Sequence, residues 1–455
     1  MEKVKKLKRG LDIGIHGKAE KKLDTTFQAS TYAIKPTDFF GIAPIPKLLV
    51  KEGDEVKAGD QLFYDKSMPD VFYTAPVSGE VVEIRRGAKR SIAEVVILGD
   101  KTIKYKSFSI GKVATLSKDK VVKLLKESGL WLTLKQRPFN LVADSNVIPK
   151  SIHISGFDSN PLAADYRFTL NGKKKEFQAG LDVLHQLTTG GVDVGLNADA
   201  RTNEVIENAR GINKHYFAGP HPAGNVGVQI HHINPINKGE VVWTINPNDV
   251  AIIGEFFLTG KVNMERIIAI TGPEILHPRY IKTYAGASIE NMIKDNLSND
   301  HVRYISGSVL TGKKIEANGH LGFYDHSLTV IEEGDKYEFM GWLIPSYPRP
   351  SLSRTFWTGL LNAMNIENTY SVNTNSHGEP RAFVVSGQYE QVLPMDIYPV
   401  QLLKSIMYND LDKMEGLGIY ELVEEDLALC EFVCTSKTEV QKVLREGLDY
   451  VKSQT

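Results

Sequence analysis

The chain has 455 residues, with 54 basic side chains against 55 acidic ones and a formal net charge of −1. That length exceeds what one core fills and points to two to four domains, while the near-neutral balance gives no argument for a nucleic-acid partner. Its two cysteines, Cys430 and Cys434, argue against a disulfide scaffold and suit a reducing compartment. No window supplies the roughly 20 apolar residues of a membrane span, and the basic start MEKVKKLKRG lacks the apolar core of a signal peptide.

Residues 48–87 read as short Val/Leu/Phe-rich runs broken by EGD, AGD and VSG turns, which predicts a small all-β module built of hairpins. From about residue 112 the period changes. KDKVVKLLKESGLWLTL (118–134) has near-helical apolar spacing and predicts a helix running on to Arg137-Pro138-Phe139. SIHISGF (151–157) predicts a strand, AGLDVLHQLTTGG (179–191) an amphipathic helix stopped by glycine, and VDVGLNA a further strand. This alternation argues for an α/β layer with parallel strands. From Glu265 the pattern becomes strand, helix (287–297), strand, strand, as in a small α+β unit. Residues 341–393, with SYPRPSLSR and TNSHGEPR, read as a loop-rich connector or contact region. The tail from Pro394 is mostly helical, its last helix opening on a Ser436-x-x-Glu439 capping box. The expected division is 1–112, 113–258, 259–340 and 341–455.

The β-module resembles a biotinyl/lipoyl carrier domain, in which Lys66 of YDKSMPD stands near the attachment position. The stretch from Lys66 to Ala75-Pro76 is longer than in carriers, so a solvated lysine is the preferred reading. GPHPAGNVG (219–227) has the outline of a phosphate loop, but Asn225 and Val226 replace its Lys and hydroxyl, and G-x-G-x-x-G is absent. His215, His221, His231 and His232 lie in a charge-free stretch without a metal-ligand pattern, and His231 and His232 would face opposite sides of a strand. An exposed His221 there suits a neutral, polar-headed ligand. Arg137 and Phe139, with Trp131 behind, offer a cation beside aromatic faces; the plainer reading makes Trp131 and Phe139 core. YAIKPTDFFGIAP (32–44) adds Phe40 as a pocket or interface residue.

At the cysteines, the spacing C-x2-C-x2-C-x3-C-P of a cluster motif would put Glu424 and Leu427 where ligands are required and Thr435 in place of the proline. Two thiols cannot hold a cubane. Cys430 and Cys434 are expected as small buried residues on one helical face, relics of a cluster segment.

RGLDIGIHGKAE, TAPVSGEVVEIRRGAKR, DSNPLAAD, FAGPHPAGNVG, ISGSVLTGKK, EFMGWLIP and DLALCEFVC together resemble the A-subunit family of bacterial sodium-translocating NADH:quinone reductases, nearly end to end. That family is related to the C subunit of the Rnf complex and to the flavin-carrying, NADH-binding subunit of complex I. The resemblance implies a multidomain α/β plus α+β chain: a barrel-sandwich (lipoyl-like) domain, a Rossmann-like domain without the nucleotide fingerprint, a β-grasp domain of the soluble-ligand-binding type and a helical C-terminal domain like a degenerate ferredoxin. It implies a peripheral subunit on the cytoplasmic side of the bacterial inner membrane, binding no cofactor or metal itself and with no catalytic residue of its own. FMN, FAD and iron–sulfur centres would belong to partner subunits, one of them integral to the membrane. The chain would contribute to ubiquinone reduction coupled to sodium export. Phe40, Arg137, Phe139 and His221 are the candidate ubiquinone-binding residues, with Arg137 or His221 as donor. A purely structural adaptor and a lipoyl- or biotin-bearing carrier are the alternatives.

Overall fold

The computed structural model describes residues 4–43, 45–111, 115–200, 203–335, 340, 350, 357–364 and 369–454. EFMGWLIP, one of the segments that carry the resemblance, and SYPRPSLSR of the expected connector or contact region lie outside them apart from Met340 and Pro350.

Alternating apolar runs between glycine turns fold the N-terminal module into a pair of small antiparallel sheets. One runs Thr31–Ile34, Ile92–Gly99, Gly79–Arg86, Glu55–Val56; the other runs Lys47–Leu48, Gln61–Asp65, Met68–Thr74. Their inward side chains, Val56, Leu62, Val71, Tyr73, Val81 and Ile97 among them, are buried in one core, and Phe63 stacks on Tyr73 at 4.6 Å. This is the layout of a barrel-sandwich. Lys66 and Ser67 form a tight two-residue turn, held by the buried Asp65, which accepts from the Ser67 and Ala43 N–H groups at 3.1 and 3.2 Å. A register shift between Tyr64 and Asp65 absorbs the extra length seen in the sequence, and Lys66 is exposed.

Two segments inside the expected 1–112 unit pair elsewhere. Lys5–Lys6 lies parallel to Asn213–Ala218, and Glu20–Asp24 lies parallel to Arg279–Tyr284. Both cover strands that would otherwise be open sheet edges.

The largest sheet has seven strands: Lys5–Lys6, Asn213–Ala218, Val192–Asn197, Ile152–Ser155 and Val242–Thr244 in parallel, then Lys135–Arg137 and Leu141–Val142 antiparallel. Arg137 therefore ends a strand, not the predicted helix. The helix Lys118–Glu127 stops at Gly129, whose φ of 75° breaks it, before a short 3-10 turn over Leu130–Thr133. One side of the sheet is apolar. Ile152, Ile154, Val192 and Val194 share a core with helices Lys174–Leu184 and Pro247–Thr259.

Successive strand residues face opposite ways, so the other side carries Ser151, His153, Asp193 and His215. The helix Val226–Ile233 covers it, with Gln229 Nε2 donating to Ser155 Oγ at 2.8 Å. His231 and His232 belong to this helix, contrary to the strand reading. The apolar run VGVQIHHI suits either element at such length. On the polar side His153 Nε2 meets Ser151 Oγ at 2.8 Å, and His215 Nε2 meets Asp193 Oδ1 at 2.8 Å.

A six-stranded mixed sheet follows, in the order Lys313–Ile315, Val302–Ser306, Ser327–Glu332, Glu265–Thr271, Arg279–Tyr284, Glu20–Asp24. The helix expected over 287–297 shrinks to one turn, Glu290–Ile293. Asn296 is buried there and its side chain instead accepts from the His277 N–H at 2.9 Å. Helices Pro399–Met407, Leu411–Gly416, Glu424–Phe432 and Val440–Gln454 build a separate core. The Ser436–Glu439 capping box is not formed, because Ser436 Oγ donates to the Ala382 carbonyl at 2.9 Å and the helix begins at Val440.

Burial pulls His153 down to about 4, against the opposing pull of Asp193. The unfolded chain accepts that proton near pH 6.5, at about the ordinary histidine value. The stability contributed by neutral His153 is therefore complete above that pH and is lost as pH falls toward 4. Urea unfolding should show a loss of about 2 kcal/mol from this group between pH 7 and pH 5. His153→Asn should remove that part of the slope, and an unchanged slope refutes the assignment.

A candidate ligand cleft at the carboxyl ends of the parallel strands

In open α/β sheets the crevice beyond the carboxyl ends of the strands is where ligands bind. Here a cleft of about 430 Å³ opens at Ser155 and Thr244, the last residues of two neighbouring strands. Its walls come from every region of the chain. Asp38 and Phe40 arrive from the N-terminal segment, and Lys135 and Arg137 from one strand. Tyr324 and Asp325 come from the loop before Ser327–Glu332, and Glu424, Glu425 and Gln441 from the C-terminal helices.

Arg137 is only 2% exposed. Its Nη2 donates to Glu425 Oε1 at 2.5 Å, and its Nη1 donates to Asp426 Oδ2 at 2.6 Å and to the Glu421 carbonyl at 3.3 Å. Burial opposes its charge, but Asp426 and Glu425 outweigh that and hold the guanidinium above its ordinary pKa. Lys135 differs. Its Nζ stands 3.8 Å above the Tyr324 ring and has no ion pair or hydrogen bond among the described residues. Burial lowers its pKa, with Glu425 and Asp325 opposing. Tyr324 is itself fixed, its hydroxyl donating to the Leu132 carbonyl at 2.7 Å.

Two of the four sequence candidates share this cleft. Phe40 is 38% exposed, with the Arg445 guanidinium 4.2 Å from its ring centre. Arg137 lines the cleft, but its donors are already engaged by carboxylates, which corrects its expected role as a free donor. Phe139 and His221 do not line it. Phe139 takes a φ of 80°, gives its carbonyl to Arg445 Nη1 at 3.0 Å and meets Tyr420 edge-on at 6.3 Å. His221 is 1% exposed, not the accessible histidine expected. Its backbone N–H donates to Asp12 Oδ1 at 2.8 Å and its Nδ1 meets Ser159 Oγ at 2.9 Å. Burial lowers its pKa to about 4, so the ring is neutral at pH 7. The loop that looked open in the sequence is folded under the segment around Leu11 and Asp12, which no local pattern announces.

Three family models match the chain: the NqrA N-terminal barrel-sandwich hybrid domain over residues 5–100, the NqrA second alpha/beta domain over 116–262, and the NQRA C-terminal domain over 267–317. The A subunit of the Na(+)-translocating NADH-quinone reductase of Vibrio anguillarum is 38% identical over 451 residues, covering 98% of this chain and 99% of that protein. The corresponding A subunits of Neisseria meningitidis serogroup B and of Pseudomonas aeruginosa PAO1 are 39% and 38% identical, each over 99% of both chains. The chain belongs to the A-subunit family of Na(+)-translocating NADH-quinone reductases. Among solved structures, an NAD+-reducing [NiFe]-hydrogenase in the air-oxidized state is similar over 77% of this chain and 67% of that one, at 9% identity and a TM-score of 0.37.

In this member of the NqrA family, Cys430 lies in the helix Glu424–Phe432, whereas Cys434 lies beyond its end. They do not share a helical face, because the helix stops before the second thiol. Both are buried, at 0% and 2% exposure. Cys434 Sγ accepts from the Tyr389 hydroxyl at 2.9 Å and from the Thr438 N–H at 3.3 Å. Among the described residues no group of three His, Cys, Asp or Glu side chains is placed to hold a metal ion.

Sequence reasoning missed Lys135 and the carboxylates that face it. Lys135 could have been flagged as a cation inside the apolar run LWLTLKQRPF, but nothing local pairs it with Tyr324, 189 positions later in the chain (324 − 135).

Two outcomes follow from this geometry. Removing the buried guanidinium in Arg137→Ala leaves Asp426 unpaired and should cost about 3–5 kcal/mol in urea unfolding, whereas the apolar pair Arg137→Met with Asp426→Leu should recover most of that loss. Both cysteines should resist a thiol reagent in the native chain and react fully in denaturant; fast native labelling of either one contradicts the burial.

Proposed function

We propose that this chain is a peripheral subunit of a sodium-pumping NADH:ubiquinone oxidoreductase, and that it contributes to reduction of ubiquinone to ubiquinol coupled to Na+ export. The observation that carries this is the similarity to the A subunits of such enzymes over 98–99% of the chain. No helix among the described residues is long and apolar enough to cross a membrane. Sodium passage needs ionisable groups within a membrane and falls to integral partner subunits. FMN, FAD and iron–sulfur centres belong to partners as well, and this chain docks from the cytoplasmic side of the inner membrane. In this reading the four units resemble, in order, a lipoyl-like barrel-sandwich, a Rossmann-like layer, a β-grasp unit and a helical unit akin to a degenerate ferredoxin. They divide near residues 112, 258 and 340, and the first lends its two leading strands to its neighbours.

The quinone headgroup is neutral, with two carbonyl acceptors and an apolar tail, so its site needs donors beside an apolar face. The cleft supplies Lys135 Nζ, unpaired, as the donor in place of Arg137 or His221, with the half-open Phe40 as the apolar edge. Phe139 and His221 support the cleft wall from behind instead of touching the ligand. A structural adaptor without a ligand site is the second reading, favoured by the many carboxylates around the cleft.

Titration of a short-tailed ubiquinone into the purified chain separates the two. Saturable binding that weakens at least tenfold, about 1.4 kcal/mol, in Phe40→Ala and Lys135→Met supports the quinone site; no saturable binding leaves the adaptor. Intact mass tests the carrier alternative at Lys66, where an added lipoyl or biotinyl group would replace both readings.

A further inference from the structure

We propose that the Tyr166 hydroxyl is a second donor in the cleft besides Lys135, so that the site holds a neutral ligand by two carbonyl oxygens at once. This rests on the quinone reading of the cleft.

A tyrosine hydroxyl has one proton to donate and an oxygen that also accepts. Which role Tyr166 plays inside the protein is fixed by Asn246, the N-cap of the helix Pro247–Thr259. Asn246 Oδ1 accepts from the Asn248 N–H at 2.9 Å, and a backbone N–H can only donate. The amide is therefore oriented with Nδ2 toward Tyr166, and Nδ2 donates to the hydroxyl oxygen at 3.1 Å. Tyr166 is the acceptor in that bond, so its own proton points elsewhere. Among the described residues nothing takes it. A polar group left over in this way is satisfied by solvent or by a ligand.

The donor is also held in place and kept protonated. Asn203 Nδ2 donates to the Tyr166 carbonyl at 2.7 Å, and the half-buried ring packs on the apolar core at the cleft wall. Burial, with Asp158 adding to it, raises the hydroxyl well above the ordinary tyrosine pKa. The strand Val242–Thr244 connects this donor to the other one. Lys135 pairs with Thr244, and Asn246 follows two residues later. Lys135, Thr244, Asn246 and Tyr166 all line the cleft, and the Asp249 carboxylate favours the protonated form of both Lys135 and Tyr166. A para-quinone carries carbonyl oxygens on opposite edges of one ring. Two fixed donors select it over a molecule with a single acceptor, because a site built to hydrogen-bond a group rejects the analogue that lacks it.

The test uses the full chain and a short-tailed ubiquinone isotopically labelled at one carbonyl or the other, which separates the two C=O stretches in infrared difference spectra. Bound to the native chain, both bands should lie below their position in an apolar solvent. Tyr166→Phe keeps the ring and should return one band to that position, with binding weakened roughly three- to tenfold. Lys135→Met should return the other band. Asn246→Asp gives an independent route to the first result. Its carboxylate still caps the helix and accepts the Tyr166 proton, so the same band should return with the tyrosine intact. This variant carries the comparison if Tyr166→Phe does not fold. Bands left unchanged by these changes at Tyr166 and Asn246, with quinone still bound, overturn the second donor and leave the quinone reading standing. Release of the same carbonyl by the Tyr166 and Lys135 variants overturns it too. No saturable binding to the native chain removes the quinone reading and this proposal with it.

Discussion

The contact between Arg137 and the first turn of the helix Glu424–Phe432 holds the parallel sheet to the C-terminal helices, and the rest of the cleft is arranged around it. Burying a guanidinium costs several kcal/mol of lost hydration, which attraction in a low-dielectric site offsets only when geometry and hydrogen bonding are good. Here three acceptors, Glu425, Asp426 and the Glu421 carbonyl, lie within 2.5–3.3 Å. Such a pair adds little net stability over an apolar replacement, yet leaving one partner alone is strongly destabilising. Its value is positional. It fixes where the helix start stands, and therefore where Glu424 and Glu425 enter the cleft.

From that anchor a second set of contacts runs to the N-terminal segment. Glu424 pairs with Arg445 Nε at 2.5 Å, Arg445 holds the Phe139 carbonyl, and its guanidinium faces the Phe40 ring. Phe40, Arg137 and the two helices are distant in sequence, so the cleft exists only while all of them are docked. An opening of the C-terminal helices, the kind of sub-global fluctuation that folded proteins undergo, would dismantle it.

Local signals were legible wherever a period or a turn decides the structure. The glycine turns after residue 48, the strand SIHIS, the amphipathic helix before Gly190 and the burial of Trp131 all rest on such signals. What failed has a common cause. The helix predicted over 287–297, the capping box at Ser436 and the exposure of His221 each lost to a tertiary partner: the His277 N–H, the Ala382 carbonyl, and the Asp12–Ser159 pair. The cleft was half legible. Phe40 and Arg137 stood out as one of an aromatic pair beside Gly and Pro and as a cation beside aromatics, but the carboxylates that engage Arg137 arrive from 288 and 289 positions away. Without them a tied cation cannot be told from a free one, and Lys135 could not be recognised as the one left over.

The ligand charge the cleft tolerates follows from how its own charges are engaged. Asp249 is tied to Arg266 at 2.8 Å, Asp325 to Ser306 Oγ at 2.5 Å, Asp38 to Lys313 at 3.5 Å, and Glu424 and Glu425 to arginines. These contacts shorten the reach of each carboxylate without removing its charge. An anionic ligand entering the mouth meets a net acidic wall before it can reach Lys135. A cation would have to compete with arginines already in place. A neutral molecule with a carbonyl acceptor meets neither obstacle and finds the one cation, Lys135 over Tyr324, that no side chain among the described residues satisfies.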